Sequence, residues 1–153
     1  MQAGADTKFV FAKLSKVSSM EFTAQSSRAT GWNGAGIGQV SVSQQSDESL
    51  EFDESGTWTN RDDQRFQFRN TYRWSLLMNH QAIRLEHLRL GHDHPVHLFD
   101  LGRQTRTVLT TLQPHVCGDD LYSAKLQILD SEILLNWTVV GPEKDETIHY
   151  VYR

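Results

Sequence analysis

A single cysteine, Cys117, leaves this chain without the means to form an internal disulfide. Apolar residues nowhere gather into the run of roughly 18 that a membrane-spanning helix needs, so no membrane partner is expected. Basic charge is also scarce: 15 Lys and Arg face 19 Asp and Glu, a net charge of −4, with a pI near 5.9. Nucleic acid and anionic surfaces demand clustered basic residues, and here they are scattered, so no nucleic-acid partner is expected. The opening Met1-Gln2-Ala3-Gly4-Ala5-Asp6 lacks the basic-then-apolar profile of a secretory leader. A cytoplasmic setting is the expectation, in which the sequon at Asn136-Trp137-Thr138 stays idle. There is no internal repeat, no low-complexity tract and hardly any long helical period. The 153 residues suit one domain, residues 1–153, burying about two-thirds of the surface of the unfolded chain.

What is present is alternation. Apolar residues recur at period two far more often than at 3.6, the mark of strands with one buried face. The clearest case runs from Arg65 to Trp74. It puts Phe66, Phe68, Tyr72 and Trp74 on one side, and Arg65, Gln67, Arg69, Thr71 and Arg73 on the other. The aromatic side is made for a core, which turns the arginine row toward solvent; facing inward, that row would instead form a wall recognising carboxylates. Further strands are predicted at 37–42, 50–52 running toward Trp58, 82–90, 96–101, 105–112, 121–129, 133–140 and 147–153. Turn formers fill most gaps, at Gly31 to Gly36, Asp53-Glu54-Ser55-Gly56, Gly91-His92-Asp93, Gly102, Gly118-Asp119 and Gly141-Pro142. Residues 24–36 read as a loop within the domain. Residues 8–17 suit either a strand or a short helix plugging a barrel mouth. Short antiparallel strands joined in sequence predict an all-β fold, a barrel favoured over a sandwich because closure removes exposed edges.

The chemistry-bearing residues admit bland and functional readings side by side. Gly91-His92-Asp93-His94-Pro95-Val96-His97, with His115, Cys117 and His149, has the residue types of a zinc site. His92 and His94 fall at a Gly/Asp/Pro turn and not on regular elements, so no metal and no cofactor is expected. His97 alternates with Phe99 and Leu101, which predicts a partly buried ring. His115 and Cys117 share a strand face, but two residues along a strand is too far for a nucleophile and its base. Asp120 either anchors a hairpin or sits as a carboxylate with a raised pKa at the lip of an apolar cavity.

These residues also carry a likeness. His115-x-Cys117-Gly118-x-Asp120-x-Tyr122, Trp137-x-Val139-x-Gly141-Pro142-x-Lys144-Asp145 and Tyr152-Arg153 are together specific. Phe52-x-Glu54-x-Gly56, Tyr72-Arg73-Trp74 and Val96-His97 extend the match over roughly residues 50–153. On them the chain resembles a bacterial family of small uncharacterised proteins, the domain-of-unknown-function family numbered six-three-one-four. The resemblance implies a compact lipocalin-like barrel and no established activity or cofactor. It brings His97, His115, Asp120, Tyr122, Arg73 and Lys144 forward as a shared polar set.

The fold expected is thus an antiparallel up-and-down β-barrel, lipocalin- or calycin-like, of about 8–10 strands, with room inside for one small ligand. The leading function is binding of a small, mainly apolar or amphipathic molecule. Arg73, His97, His115, Asp120 and Tyr122 would orient it, and Trp74, Phe99 and Trp137, with Phe52 and Phe68, would line or support the cavity. An acid–base enzyme of isomerase or lyase type in the same cavity is the alternative, with His115 or Asp120 as base. A filled barrel acting as an interaction protein is a third. A homodimer is left open.

Overall fold

In the computed structural model of the protein, residues 3–27, 33–77, 79 and 81–153 are described. One helix, α1 (Ala3–Leu14), precedes the strands β1 (Ser19–Ser26), β2 (Gly34–Ser46), β3 (Ser49–Asn60), β4 (Arg65–Leu77), β5 (Ala82–His87) and β6 (Val96–Arg103). Then follow β7 (Val108–Thr111), β8 (His115–Cys117), β9 (Asp120–Ile128), β10 (Ile133–Val140) and β11 (Asp145–Tyr152). Each strand pairs antiparallel with the next as far as β7, which pairs with β9. β9 pairs with β10, and β11 with both β10 and β1, so the sheet closes on itself.

β7 and β8 both lie along the same side of β9, Thr110 opposite Lys125 and His115 opposite Tyr122. They are two halves of one stave, interrupted where β7–β8 spends more residues than β9 across the gap. The Thr111 hydroxyl bridges that gap, bonding both the carbonyl and the amide of Ala124. Counted this way the barrel has ten staves, a closed lipocalin-like antiparallel barrel as expected.

Alternation decides what fills the interior. On β4, Tyr72, Trp74 and Leu76 are buried while Arg69 and Arg73 pair with Asp53 and Glu86 on the outer face, so the arginine row points outward. The strand at 19–26 went unpredicted although Met20, Phe22 and Ala24 alternate inward. The loop expected over 24–36 lies partly outside the described residues; its ends belong to β1 and β2. The turn expected at Asp53-Glu54-Ser55-Gly56 is a correction: β3 runs straight through it, opposite Ser41 to Gly38 of β2. The ambiguous 8–17 segment is helical up to Leu14. Thr7, Val10, Phe11 and Leu14 are buried at the i, i+3, i+4, i+7 spacing of one helix face. The helix ends where the Ser15 hydroxyl donates to the Ala12 carbonyl at 2.6 Å, a local bond that competes with the next turn.

That face packs on β4, β5 and β6 at one end of the barrel. There Leu14 joins Leu50, Trp74, Ile83 and Leu101, all with no exposed surface, in one buried core. The other end carries no such plug among the described residues.

Candidate functional site

The upper half of the barrel encloses a cavity of about 1020 Å³. Its walls come from inward positions of the strands: Phe22 of β1, Trp58 of β3, Phe68 and Tyr72 of β4, Trp137 of β10 and Tyr150 of β11. Phe22 is their hub. It stacks on Trp58 at 5.4 Å and 14° and on Tyr150 at 5.2 Å and 30°, and meets Phe68 edge-on at 5.4 Å. Its ring fits because the inward residue across from it on β2 is Gly36, where a Cβ would collide with the Phe22 ring. Trp137 stacks loosely on Tyr150 at 6.2 Å and 29° and sits edge-on to Phe99 at 5.3 Å.

Polar groups lie at and beneath the floor. Glu54 has no exposed surface, and burial pushes its carboxyl up to about 8 against the opposing pull of the Tyr152 hydroxyl, which donates to Oε2 at 2.7 Å. Its other oxygen has no hydrogen-bond partner among the described residues. Glu54 stands opposite Asn70, itself a cavity residue. The hydroxyls of Tyr72 and Tyr150 lie 3.4 Å apart, and burial raises the pKa of both phenols. The indole nitrogen of Trp137 is buried without a partner among the described residues.

The mouth carries the titratable groups. His97 Nε2 lies 3.1 Å from Asp100 Oδ1, and Asp100 is gripped by Arg84 through Nε at 2.8 Å and Nη2 at 3.0 Å. That guanidinium, above all, holds the Asp100 carboxyl below the usual carboxylate range. The His97 ring meets that of His115 at 4.3 Å, and His115 meets Tyr122 at 6.3 Å. Burial, and then the neighbouring His97, lowers the pKa of His115; burial and Arg89 do the same for His87, whose ring sits edge-on to Tyr72 at 4.7 Å. Arg61, Arg89, Asp62 and Glu146 also border the cavity, so the rim mixes both signs.

The eight residues expected at the site therefore part company. His97, Tyr122 and Trp137 line the cavity, and His115 touches the first two. Asp120 sits at the hairpin corner, 3.7 Å from Lys144 and outside the lining. Arg73 is on the outer face, bonded to Glu86 at 3.0 Å, because it alternates with Tyr72 and Trp74, which point in. Trp74 and Phe99 face inward in the solid core below the cavity, as does Phe52, while Phe68 lines the cavity. Of the histidines and thiol considered for zinc, His97 and His115 meet while the others go elsewhere: His92 bonds Glu51, His149 bonds Asn136, and Cys117 borders the cavity. Among the described residues no three His, Cys, Asp or Glu side chains come together as a metal site.

Sequence reasoning passed over Phe22, Trp58, Tyr72, His87, Tyr150 and Glu54. For Glu54 the signal was its place two residues from Phe52 and four from Trp58. For Phe22 it was the alternation of Met20, Phe22 and Ala24.

A family model described as "Family of unknown function (DUF6314)" matches residues 19–153. No curated protein matches the chain. Among solved structures the chain is similar to EF1p2_mFAP2b bound to DFHBI, at 8% identity over 96% of this chain and 98% of that one, with a TM-score of 0.50. It is also similar to a redesigned beta barrel, mFAP1, bound to DFHBI, at 12% identity over 100% of both chains and a TM-score of 0.41. At 8% identity the first likeness bears on the fold alone. No helix among the described residues is long and apolar enough to cross a membrane.

Proposed function

The chain belongs to this family of unknown function, DUF6314, and from that premise we propose that it binds one small, mainly apolar molecule in the upper half of its barrel. One observation carries the reading: a cavity of about 1020 Å³ walled by Phe22, Trp58, Phe68, Trp137 and Tyr150 opens at one end, while the rest of the barrel is filled. Ligand sites are mostly apolar concavities with a few placed polar groups, and this volume suits a drug-sized molecule. A barrel filled throughout by its own side chains, as in a pure interaction protein, has no such half. Cytoplasm suits the reading, since the exposed Cys117 thiol at the mouth stays reduced there. The similar barrel EF1p2_mFAP2b is itself bound to DFHBI, which is compatible with the proposal.

A second reading, acid–base catalysis, is favoured by the mouth. His97 is oriented through one ring nitrogen by the Arg84-held Asp100, an arrangement that leaves the other nitrogen to act on a bound molecule. Catalysis and binding separate on whether the ligand leaves changed.

Nile red, whose emission rises in apolar surroundings, tests the leading reading. Saturable binding of one equivalent is expected, with energy transfer from Trp58 or Trp137. Val139→Trp, placed on the lining to fill it, should weaken binding at least roughly tenfold while the protein stays folded by circular dichroism, because overpacking costs about 1–3 kcal/mol. No saturable binding by the parent protein would sink the proposal.

A further inference from the structure

We propose that the molecule taken up is a planar aromatic one with a neutral acceptor oxygen, such as a carbonyl, at its buried end, held by the indole N–H of Trp137 and the hydroxyls of Tyr72 and Tyr150. This rests on the reading of the upper barrel as a binding cavity and adds the chemistry of its ligand.

The shape follows from the walls. Trp58, Phe22, Tyr150 and Trp137 follow one another at interplanar angles of 14°, 30° and 29°, so each ring is roughly parallel to the next along one side of the space. A flat π-system extends such a stack; a branched aliphatic chain leaves the faces poorly covered.

The polarity follows from an imbalance of donors. Trp137 Nε1 is a donor only, it is buried, and no acceptor among the described residues takes its hydrogen. Tyr72 and Tyr150 share one hydrogen bond between two hydroxyls, and among the described residues neither has a further partner, so one of their two protons is uncommitted. Both residues and Trp137 line the same cavity, and the rings of Trp137 and Tyr150 are stacked. An oxygen acceptor at that place answers donors that otherwise lie buried and unmade, and a buried donor left without a partner is costly.

Charge narrows the class further. The carboxylates that border the cavity, Asp62 and Glu146, and its cations, Arg61 and Arg89, neighbour the turns and strand ends of the mouth. Glu54 beneath the floor keeps its proton at neutral pH because burial pushes it up to about 8. The floor thus offers neither a fixed anion for an amine nor a cation for a carboxylate. Ionised ends belong at the rim and a neutral acceptor belongs inside.

Fluorenone and fluorene differ by one carbonyl in the same planar frame, which makes them the probes. Calorimetric titration of the full chain should show fluorenone bound more tightly, against the order that desolvation alone dictates. Its infrared carbonyl stretch should move to lower wavenumber in the complex. In Trp137→Phe the preference should fall by roughly five- to tenfold, the worth of about one hydrogen bond, and the stretch should move back part of the way; Tyr150→Phe is the second variant, should the first fail to fold. Fluorene bound equally or better by the parent protein, with an unshifted fluorenone stretch, overturns the acceptor proposal and leaves the binding reading standing. Saturable binding of neither probe overturns the acceptor proposal, and if Nile red also fails to bind, the binding reading falls with it.

Discussion

Glu54 is the residue at which this fold works against itself. Its carboxyl ordinarily titrates near 4.5 and in the folded protein near 8, so folding favours the protonated form. The stability this brings is complete below pH 4.5 and is lost as pH climbs toward 8. Each pH unit between those two values is worth about 1.4 kcal/mol, so the loss amounts to several kcal/mol. His87 and His115 act oppositely: their lowered pKa values make stability rise as pH passes through about 6.5. Comparing Glu54→Gln with the parent isolates the carboxyl, since the amide oxygen still accepts from Tyr152. Thermal midpoints measured from pH 4.5 to 8.5 should fall more steeply for the parent, and the variant should be the more stable above pH 8. Parallel curves would mean that Glu54 ionises freely.

The same residue shows what was hidden in the sequence. Asp53-Glu54-Ser55-Gly56 has the composition of a turn, and local composition there outweighed the inward period of Phe52, Glu54, Gly56 and Trp58. Arg73 was legible by that very rule, lying between two buried aromatics, yet the attraction of a cation for a site drew it inward. Tyr72 reads as core from its alternation, and no spacing in the sequence discloses that Tyr150, 78 residues on, meets its hydroxyl.

At the scale of elements, the densest stretch of sequence chemistry resolves into a corner. Gly118, at φ 64°, takes the first position of a two-residue turn between β8 and β9, a conformation that glycine adopts without strain. Asp120 then reaches over to the turn that follows β10. A Cβ on Gly141 would collide with its carboxylate, and Lys144 pairs with it at 3.7 Å. The resemblance motif that joins Asp120, Gly141 and Lys144 thus describes two hairpins locked together. Gly141→Ala should destabilise the protein by about 1 kcal/mol or less, because the carboxylate can swing aside at the loss of a part-exposed ion pair, and Asp120→Gly should remove that penalty in the double variant, as read from urea denaturation. Equal penalties in both backgrounds would show that the two residues do not meet. The strands β2 to β7 and β9 to β11 were legible because their alternation is strong. β8 was not among the strands expected, since so short a stretch shows itself only in pairing with β9.

The whole molecule depends on joining its two ends. β11 lies between β1 and β10, Met20 faces Tyr152, and the amides of Ser18 and Ser19 donate to the carbonyl of Arg153 at 2.7 and 3.0 Å. Removing residues 145–153 would leave β1 and β10 with bare edges and strip Tyr150 and Tyr152 from the interior. The shortened chain should lose its cooperative denaturant transition, followed by tryptophan emission, and should associate in light scattering. A sharp monomeric transition would show that the nine-stave remainder is self-sufficient.

The helix α1 and the packed layer around Leu14, Leu50 and Trp74 make the barrel a cul-de-sac. Whatever goes in must back out by the same road, so traffic is single file. A competitor in solution cannot push an occupant through; it waits for the vacancy, and displacement runs at the occupant's own departure rate however concentrated the competitor is. Residence time then depends on how wide a molecule is at the mouth, between the Trp58 side and the Tyr122 side, and two ligands of equal affinity but different girth would exchange at very different speeds.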